Sequence, residues 1–325
     1  MKVVGIYGKH ELISRIAEEL ALELDFKLKR YVSVSRINTF NEDVVPVIWV
    51  PLSKSNEHGV VNVLGERKLF AFNNSGCLNN PSVRKRLMND IDKIMNLGYK
   101  ELVLDAIRYP SPHDHMTFLS CFCKYCISKE PQLLKVKDRI RNSISFNDVE
   151  TFISSIEDLA RIRIRFVSEV LSEIREHTKS HGVRISAAIF PPSLAKLVGQ
   201  DYKSLANYLD EIQIMLYHKC SGAACLNHEI ASLIKLLNDI FHDKSIVKRV
   251  IDALLDTVKV SLDISTLENE GIEHEVLIGE LRRATEMGLN VPIIPILWYD
   301  HKLVKILHGI REEIPTVVKI MLFIP

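Results

Sequence analysis

Several things are missing from these 325 residues, and each absence closes a class of function. No run approaches the roughly 18 apolar residues that a membrane-crossing helix needs, so no transmembrane segment and no membrane partner are expected. Nor is there an excess of charge. The chain has 42 Lys+Arg against 41 Asp+Glu, a formal net charge of +1, which gives nucleic acid or an acidic membrane surface no electrostatic hold. The phosphate-cradling patterns G-x-G-x-x-G and G-x-x-x-x-G-K-[ST] do not occur, and neither does the nucleophile elbow G-x-S-x-G. Nucleotide binding and α/β-hydrolase chemistry therefore lack their signatures. There is no internal repeat, low-complexity run or flexible linker. The apolar start Met1-Lys2-Val3-Val4-Gly5-Ile6-Tyr7 stops at Gly8-Lys9-His10, too early for a signal-peptide core, so a cytoplasmic protein is expected.

What is present looks like an ordinary soluble chain, with 47% hydrophobic and 26% charged residues, a composition that supports a sizeable core. Short β-branched runs alternate with longer amphipathic stretches. Candidate strands are 3–7, 44–50, 68–72, 102–107, 184–190, 212–217, 259–264, 292–297 and 317–323. Helical periodicity marks 11–24, 82–97, 148–179, 228–241, 272–287 and 302–312. From Leu102 onward a helical segment separates most neighbouring strands, as parallel strands require. The expected fold is therefore α/β, a single (β/α)₈ TIM-type barrel over residues 1–325 with a cysteine-bearing, zinc-binding insertion at 111–145. Nine candidates exceed the eight that a barrel needs, so either 3–7 or 44–50 is expected outside it. Residues 25–67 are the least regular and suggest a hairpin over one end.

Four of the six cysteines form a pattern. Cys121-Phe122-Cys123-Lys124-Tyr125-Cys126 is a knuckle whose two-residue gap lets a tight turn wrap its thiolates around one ion. Cys77 lies just before the helix that leads into strand 102–107, and the knuckle lies just after that strand. A helix and a strand return the chain to where it began, which brings Cys77 to the knuckle. Four sulfur ligands suit a closed, structural zinc. Disulfides or inert thiols are the alternatives, and clustered cysteines in a cytosolic protein favour metal. Cys220 and Cys225 fit no common metal spacing and are expected to be structural thiols.

The spacing of Cys77, Cys121, Cys123 and Cys126 resembles the four-cysteine zinc cluster of family 42 glycoside hydrolases, the zinc-containing β-galactosidases. The segment Leu104-Asp105-Ala106-Ile107-Arg108-Tyr109-Pro110 is similar to the D-x-I-R-[YF]-P motif of a poorly characterised group of glycoside-hydrolase-like TIM barrels. Cys77-Leu78-Asn79-Asn80-Pro81 and Cys121-Phe122-Cys123 recur in that group. Ile214-Met215-Leu216-Tyr217 resembles one of its strand ends. The likeness covers about residues 70–126 and implies the barrel, the zinc and a carbohydrate substrate. It departs in one respect. Family 42 enzymes carry an Asn-Glu pair shortly before the knuckle, the Glu being their acid/base, whereas this chain has Tyr109-Pro110-Ser111-Pro112-His113-Asp114-His115.

In such a barrel the chemistry collects where the strands end. Asp105 closes an apolar strand and is the first candidate acid, beside Arg108 and Tyr109, with a structural Asp–Arg pair as the other reading. Most glycosidases use two carboxylates. Asp263 is the candidate for the second, its alternative a helix cap, and Asp300 is the reserve. Tyr217, His218, Trp298 and Tyr299 also fall at strand ends and offer faces for a sugar ring. The expected function is a glycoside hydrolase working through Asp105 and Asp263 on a carbohydrate or other small polar substrate, bound by Arg108, Tyr109, Tyr217, His218 and Trp298. Two rivals stand beside it. One is a non-catalytic carbohydrate- or protein-binding barrel that retains the scaffold and zinc. The other is a metal-dependent hydrolase built on His113, His115 and His218. Arg161-Ile162-Arg163-Ile164-Arg165 is expected as a solvated helix flank with acidic partners.

Overall fold

Eight short strands pair side by side, all parallel, and close on themselves in a computed structural model that describes residues 2–8, 28–72, 74–255, 263–299, 302–317 and 319–324. They are β1 (Lys2–Gly8), β2 (Lys29–Ser33), β3 (Val44–Trp49), β4 (Glu101–Asp105), β5 (Arg184–Ile189), β6 (Glu211–Leu216), β7 (Ile293–Trp298) and β8 (Lys319–Ile324). Each strand pairs with its sequence neighbours, and β8 returns to β1. This is the (β/α)₈ TIM-type barrel.

Strands squeezed between a lumen and an outer helical layer are buried on both faces, so they read as continuous apolar runs instead of alternating ones. Leu102, Val103 and Leu104 of β4 are all fully buried, as are Ile212 and Ile214 of β6. The principal helices are α1 (Pro81–Asn96), α2 (Gln132–Phe146), α3 (Val149–Lys179), α4 (Leu226–Phe241), α5 (Lys244–Leu254), α6 (His274–Thr285) and α7 (Leu303–Glu313). Their starts follow local chemistry. Asn80 accepts the Ser82 N–H at 2.9 Å with Pro81 in the first turn of α1, and Asp148 accepts the Thr151 N–H at 3.1 Å to open α3.

Three expectations need correction. Strands 3–7 and 44–50 both belong to the barrel, as β1 and β3. Segment 68–72 is not a barrel strand: Arg67–Lys68 pairs with Val60–Val61 in a small antiparallel ribbon, and the apolar residues that follow form a loop. The stretch expected as a hairpin supplies β2 and β3 as well as one side of that ribbon. Of candidate strand 259–264, residues 259–262 lie outside the described residues, and Ile264 begins a short helix, Ile264–Glu270. Expected helix 11–24 also lies outside them. Between β4 and α3, the segment expected as an insertion contains short helices His115–Phe118 and Lys124–Lys129 as well as α2.

Candidate functional site

Two places at the carboxyl ends of the strands collect chemistry. The first is a cavity of about 260 Å³ at the barrel mouth. Trp49, Asp105 and Trp298, the last residues of β3, β4 and β7, line it together with Phe190, Tyr217 and Phe323 from the ends of β5, β6 and β8. Trp298 stacks on Phe323 with ring centroids 5.0 Å apart, and Tyr217 meets Trp298 edge-on at 5.5 Å. Such pairs hold one another in place beyond what burial alone supplies.

Asp105 is the only carboxylate among the described residues that line this cavity. Burial pushes its carboxyl above the ordinary range, while the Ala106 N–H and the Arg108 charge pull the other way. Arg108 is itself buried. Its guanidinium sits 5.1 Å from the centre of the Phe190 ring and 5.5 Å from that of Phe70, and its Nη1 donates to the Tyr109 carbonyl at 2.9 Å. The expected neighbours Arg108, Tyr217 and Trp298 thus share the cavity with Asp105.

The other expected residues lie elsewhere. Tyr109 faces the cysteines: its hydroxyl is 3.8 Å from Cys126 Sγ and accepts from Asn79 Nδ2 at 3.2 Å. The cause is Ala106, whose φ of 56° turns the chain immediately after Asp105. His218 is buried and lies outside the cavity lining, with its carbonyl accepting the Ile272 N–H at 2.7 Å. Asp263 is exposed and caps the short helix Ile264–Glu270, accepting from Thr266 N at 3.0 Å and Thr266 Oγ1 at 2.6 Å. It does not line the cavity. Asp300 lies outside the described residues. His113 is half-buried with its ring 5.7 Å from that of His228, and His115 is exposed. Among the described residues only the four cysteines converge as a metal-ligating set, so His113, His115 and His218 do not make one.

Sequence reasoning missed a second acid. Glu229 of α4 is fully buried and accepts from Ser111 Oγ at 2.8 Å, Ala224 N at 2.8 Å and His113 N at 2.7 Å. It ties the loop after β4 to the loop after β6. Burial pushes its carboxyl up to about 7, against the pull of Arg108 and these donors.

The second place is the cysteine cluster. Cys77, Cys121, Cys123 and Cys126 are all buried, and their sulfurs lie within 4.8 Å of one another. Cys77 Sγ is 3.4 Å from that of Cys126 and 3.6 Å from those of Cys121 and Cys123. Tetrahedral zinc with Zn–S bonds near 2.3 Å places its sulfurs about 3.8 Å apart, so the set fits one ion. The Val61 N–H points at Cys121 Sγ at 3.4 Å, and Asn79 Nδ2 at Cys126 Sγ at 3.4 Å. Donors aimed at sulfur are what thiolate ligands accept.

Beside the cluster, Arg163 corrects the reading of the arginine run. Arg161 pairs with Asp158 and Arg165 with Glu130 at the surface as expected, but Arg163 is buried. It donates to the carbonyls of Ser120, Phe118 and Leu197, with its guanidinium near the rings of Tyr109 and Phe118. Cys220 and Cys225, expected as separate thiols, are joined in a disulfide, and their loop forms one wall of the cavity.

No protein-family model matches the chain, and no curated protein matches its sequence. Among solved structures there are distant similarities. The glycoside hydrolase domain of PgaB (BpsB) from Bordetella bronchiseptica is similar with a TM-score of 0.47 at 10% identity, over 96% of this chain and 73% of that one. The β-galactosidase of Bacillus circulans sp. alkalophilus is similar with a TM-score of 0.43 at 11% identity, over 73% and 42%. Catalytic domain 2 of the Group II chitinase of Ostrinia furnacalis has a TM-score of 0.29 at 13% identity, over 64% and 36%. The chain thus spans less than half of the latter two. No helix among the described residues is long and apolar enough to cross a membrane.

Proposed function

We propose that this barrel is a glycoside hydrolase whose acid is Asp105. The carrying observation is one partly desolvated carboxyl set in a cavity rich in aromatic side chains at the carboxyl ends of the strands. A raised carboxyl holds its proton closer to neutral pH, which is the state a general acid needs. The flat faces of Trp298 and Tyr217 suit the apolar C–H face of a sugar ring. In this reading Asp105 gives its proton to the glycosidic oxygen as the C–O bond breaks, water adds to the anomeric carbon, and the proton that water releases restores Asp105. Arg108 beside it steadies the carboxylate left after transfer.

One observation favours a second reading, carbohydrate binding without turnover. Asp263 caps a helix at the surface, and Asp105 is the only carboxylate among the described residues that line the cavity, whereas most glycosidases use two. We further propose that Cys77, Cys121, Cys123 and Cys126 hold a structural zinc, with 111–145 as its insertion; the sulfur separations support this. Four protein sulfurs leave no coordination place for water. The proposal keeps the protein cytoplasmic, where the Cys220–Cys225 pair would exchange with the thiol pool.

A panel of aryl glycosides, run with wild type and Asp105→Asn, tests the reading. Turnover by wild type that falls about 10²–10⁴-fold in the variant, with an unchanged melting temperature, is the expected result. Sugar binding without turnover selects the binding barrel. Neither binding nor turnover on any glycoside ends the carbohydrate reading.

A further inference from the structure

Phe72 is 65% exposed, yet it is held in a demanding conformation over the mouth. It and Ala71 have φ of 62° and 45°, a left-handed region that side chains avoid. The tip that carries them is fixed from below. The Ala71 N–H donates to Asp114 Oδ1 at 2.9 Å, Phe70 bridges to Ser75, and Trp49 Nε1 donates to Ser75 Oγ at 2.7 Å. Two further non-glycine residues with positive φ, Ala106 (56°) and Ala224 (69°), line the same cavity, whereas Asn147 and His242 merely end helices. Left-handed backbone gathered around one cavity points to a shape held for a ligand.

The shape is a strap. Phe72 comes from the loop after β3, and its ring lies against Gly222 in the disulfide-closed loop after β6. A β-carbon on Gly222 would come within 3.0 Å of Phe72 Cζ and 3.3 Å of Cε1. Around the barrel β4 and β5 lie between β3 and β6. The contact therefore crosses the mouth on the side of Asp105 and Phe190. The cavity beneath, about 260 Å³, is smaller than the roughly 300–1,000 Å³ of sites for drug-sized ligands.

We propose that Phe72, braced on Gly222, makes the mouth a dead-end pocket that takes one terminal ring of a glycan and excludes interior units of the chain. This rests on the carbohydrate reading above and adds the position at which the chain is engaged. In this proposal the strap denies a glycan an exit over β4 and β5.

The test compares each aryl monoglycoside and its matching oligosaccharide with the same oligosaccharide carrying a bulky cyclic acetal on its non-reducing terminal ring. Binding is measured by calorimetry for wild type, Phe72→Ala and Phe72→Trp. Wild type should bind the unblocked probes at least about tenfold more tightly than the blocked one. Phe72→Ala should bring that ratio to about twofold or less while the melting temperature holds, since an exposed ring contributes little to the fold. Phe72→Trp should keep the discrimination. Equal binding of blocked and unblocked probes by wild type, or an undiminished ratio in Phe72→Ala, overturns the strap while leaving carbohydrate binding intact. Failure of wild type and Phe72→Ala to bind any sugar overturns the carbohydrate reading, and the strap with it.

Discussion

Replacing Glu229 with Gln should remove a pH dependence from the stability of the fold. The carboxyl is fully buried, and burial raises it from an ordinary 4.5 to about 7. Between those values the folded protein holds a proton that the unfolded chain has released. The unfolded state then binds fewer protons, so stability falls as pH rises through this window. Each pH unit is worth about 1.4 kcal/mol. The contribution is fully present below about pH 4.5, shrinks by about 3 kcal/mol in all, and is gone above about pH 7. Gln is neutral throughout. Its oxygen can replace one carboxylate oxygen, but its amide must face a backbone N–H, a cost of about 1 kcal/mol that does not depend on pH. Urea unfolding of both proteins from pH 4.5 to 8 therefore compares slopes, and the constant offset drops out. Wild type should lose stability relative to Glu229→Gln across pH 5–7. Parallel curves would refute the reasoning. They would mean that Arg108 and the donors from Ser111, His113 and Ala224 outweigh burial and keep Glu229 ionised.

Cys126→Ser removes one of four sulfurs, so zinc in protein purified without added metal should drop from about one per chain to a small fraction, and the melting temperature should fall with it. An unchanged zinc content, or lost zinc with unchanged melting, would count against a structural ion. Arg163→Met strands the carbonyls of Ser120, Phe118 and Leu197 in a dry interior and should cost more than about 3 kcal/mol in urea unfolding. Lys should not rescue it, because one ammonium cannot reproduce the planar fork. A loss below about 1 kcal/mol for Met would show that those carbonyls find other partners.

The barrel was legible wherever strands were apolar on both faces, as in β4 to β8. β2 escaped notice because Lys29-Arg30-Tyr31-Val32-Ser33 opens with two cations and buries only Tyr31 deeply. Residues 68–72 misled for the opposite reason: Leu69, Phe70 and Ala71 are apolar because they pack under the mouth loop, not because they pair in a sheet. The buried charges did leave a signal. On α3, Ile156, Leu159, Phe166 and Val170 mark the inward stripe, and Arg163 falls in phase with it. On α4, Leu226, Ile230, Leu233 and Leu237 do the same for Glu229. The arginine run read as a local pattern, instead of by helical phase, hides the first. Asp105, Tyr217 and Trp298 line the cavity at the strand ends, whereas Tyr109 lies against the cysteines, because the left-handed turn at Ala106 is not written in an alanine. The Cys220–Cys225 bond depends on a loop that brings two Cα atoms to 5.4 Å, which spacing alone does not foretell.

The cysteine cluster and the cavity are best understood as one construction. All four sulfurs are buried, so a substrate at the mouth cannot touch them, and whatever they hold acts through the chain. Cys77 lies in the loop after β3 and the knuckle lies in the segment after β4. The cluster brings these two connections together, helped by the backbone bond from Phe122 N to the Val61 carbonyl at 2.8 Å, while Cys77 N bonds the His58 carbonyl at 2.7 Å within the first. Those same connections carry the mouth: Phe72 rides on the first and Arg108 begins the second. Arg108 is tied to the cluster in two steps, through its bond to the Tyr109 carbonyl and the Tyr109 hydroxyl beside Cys126. The turn at Ala106 is what lets one strand end serve both places, sending Asp105 to the cavity and Tyr109 to the sulfurs. The feature most conspicuous in the sequence is thus the support, and the residues it supports reach the mouth from loops that show no comparable pattern.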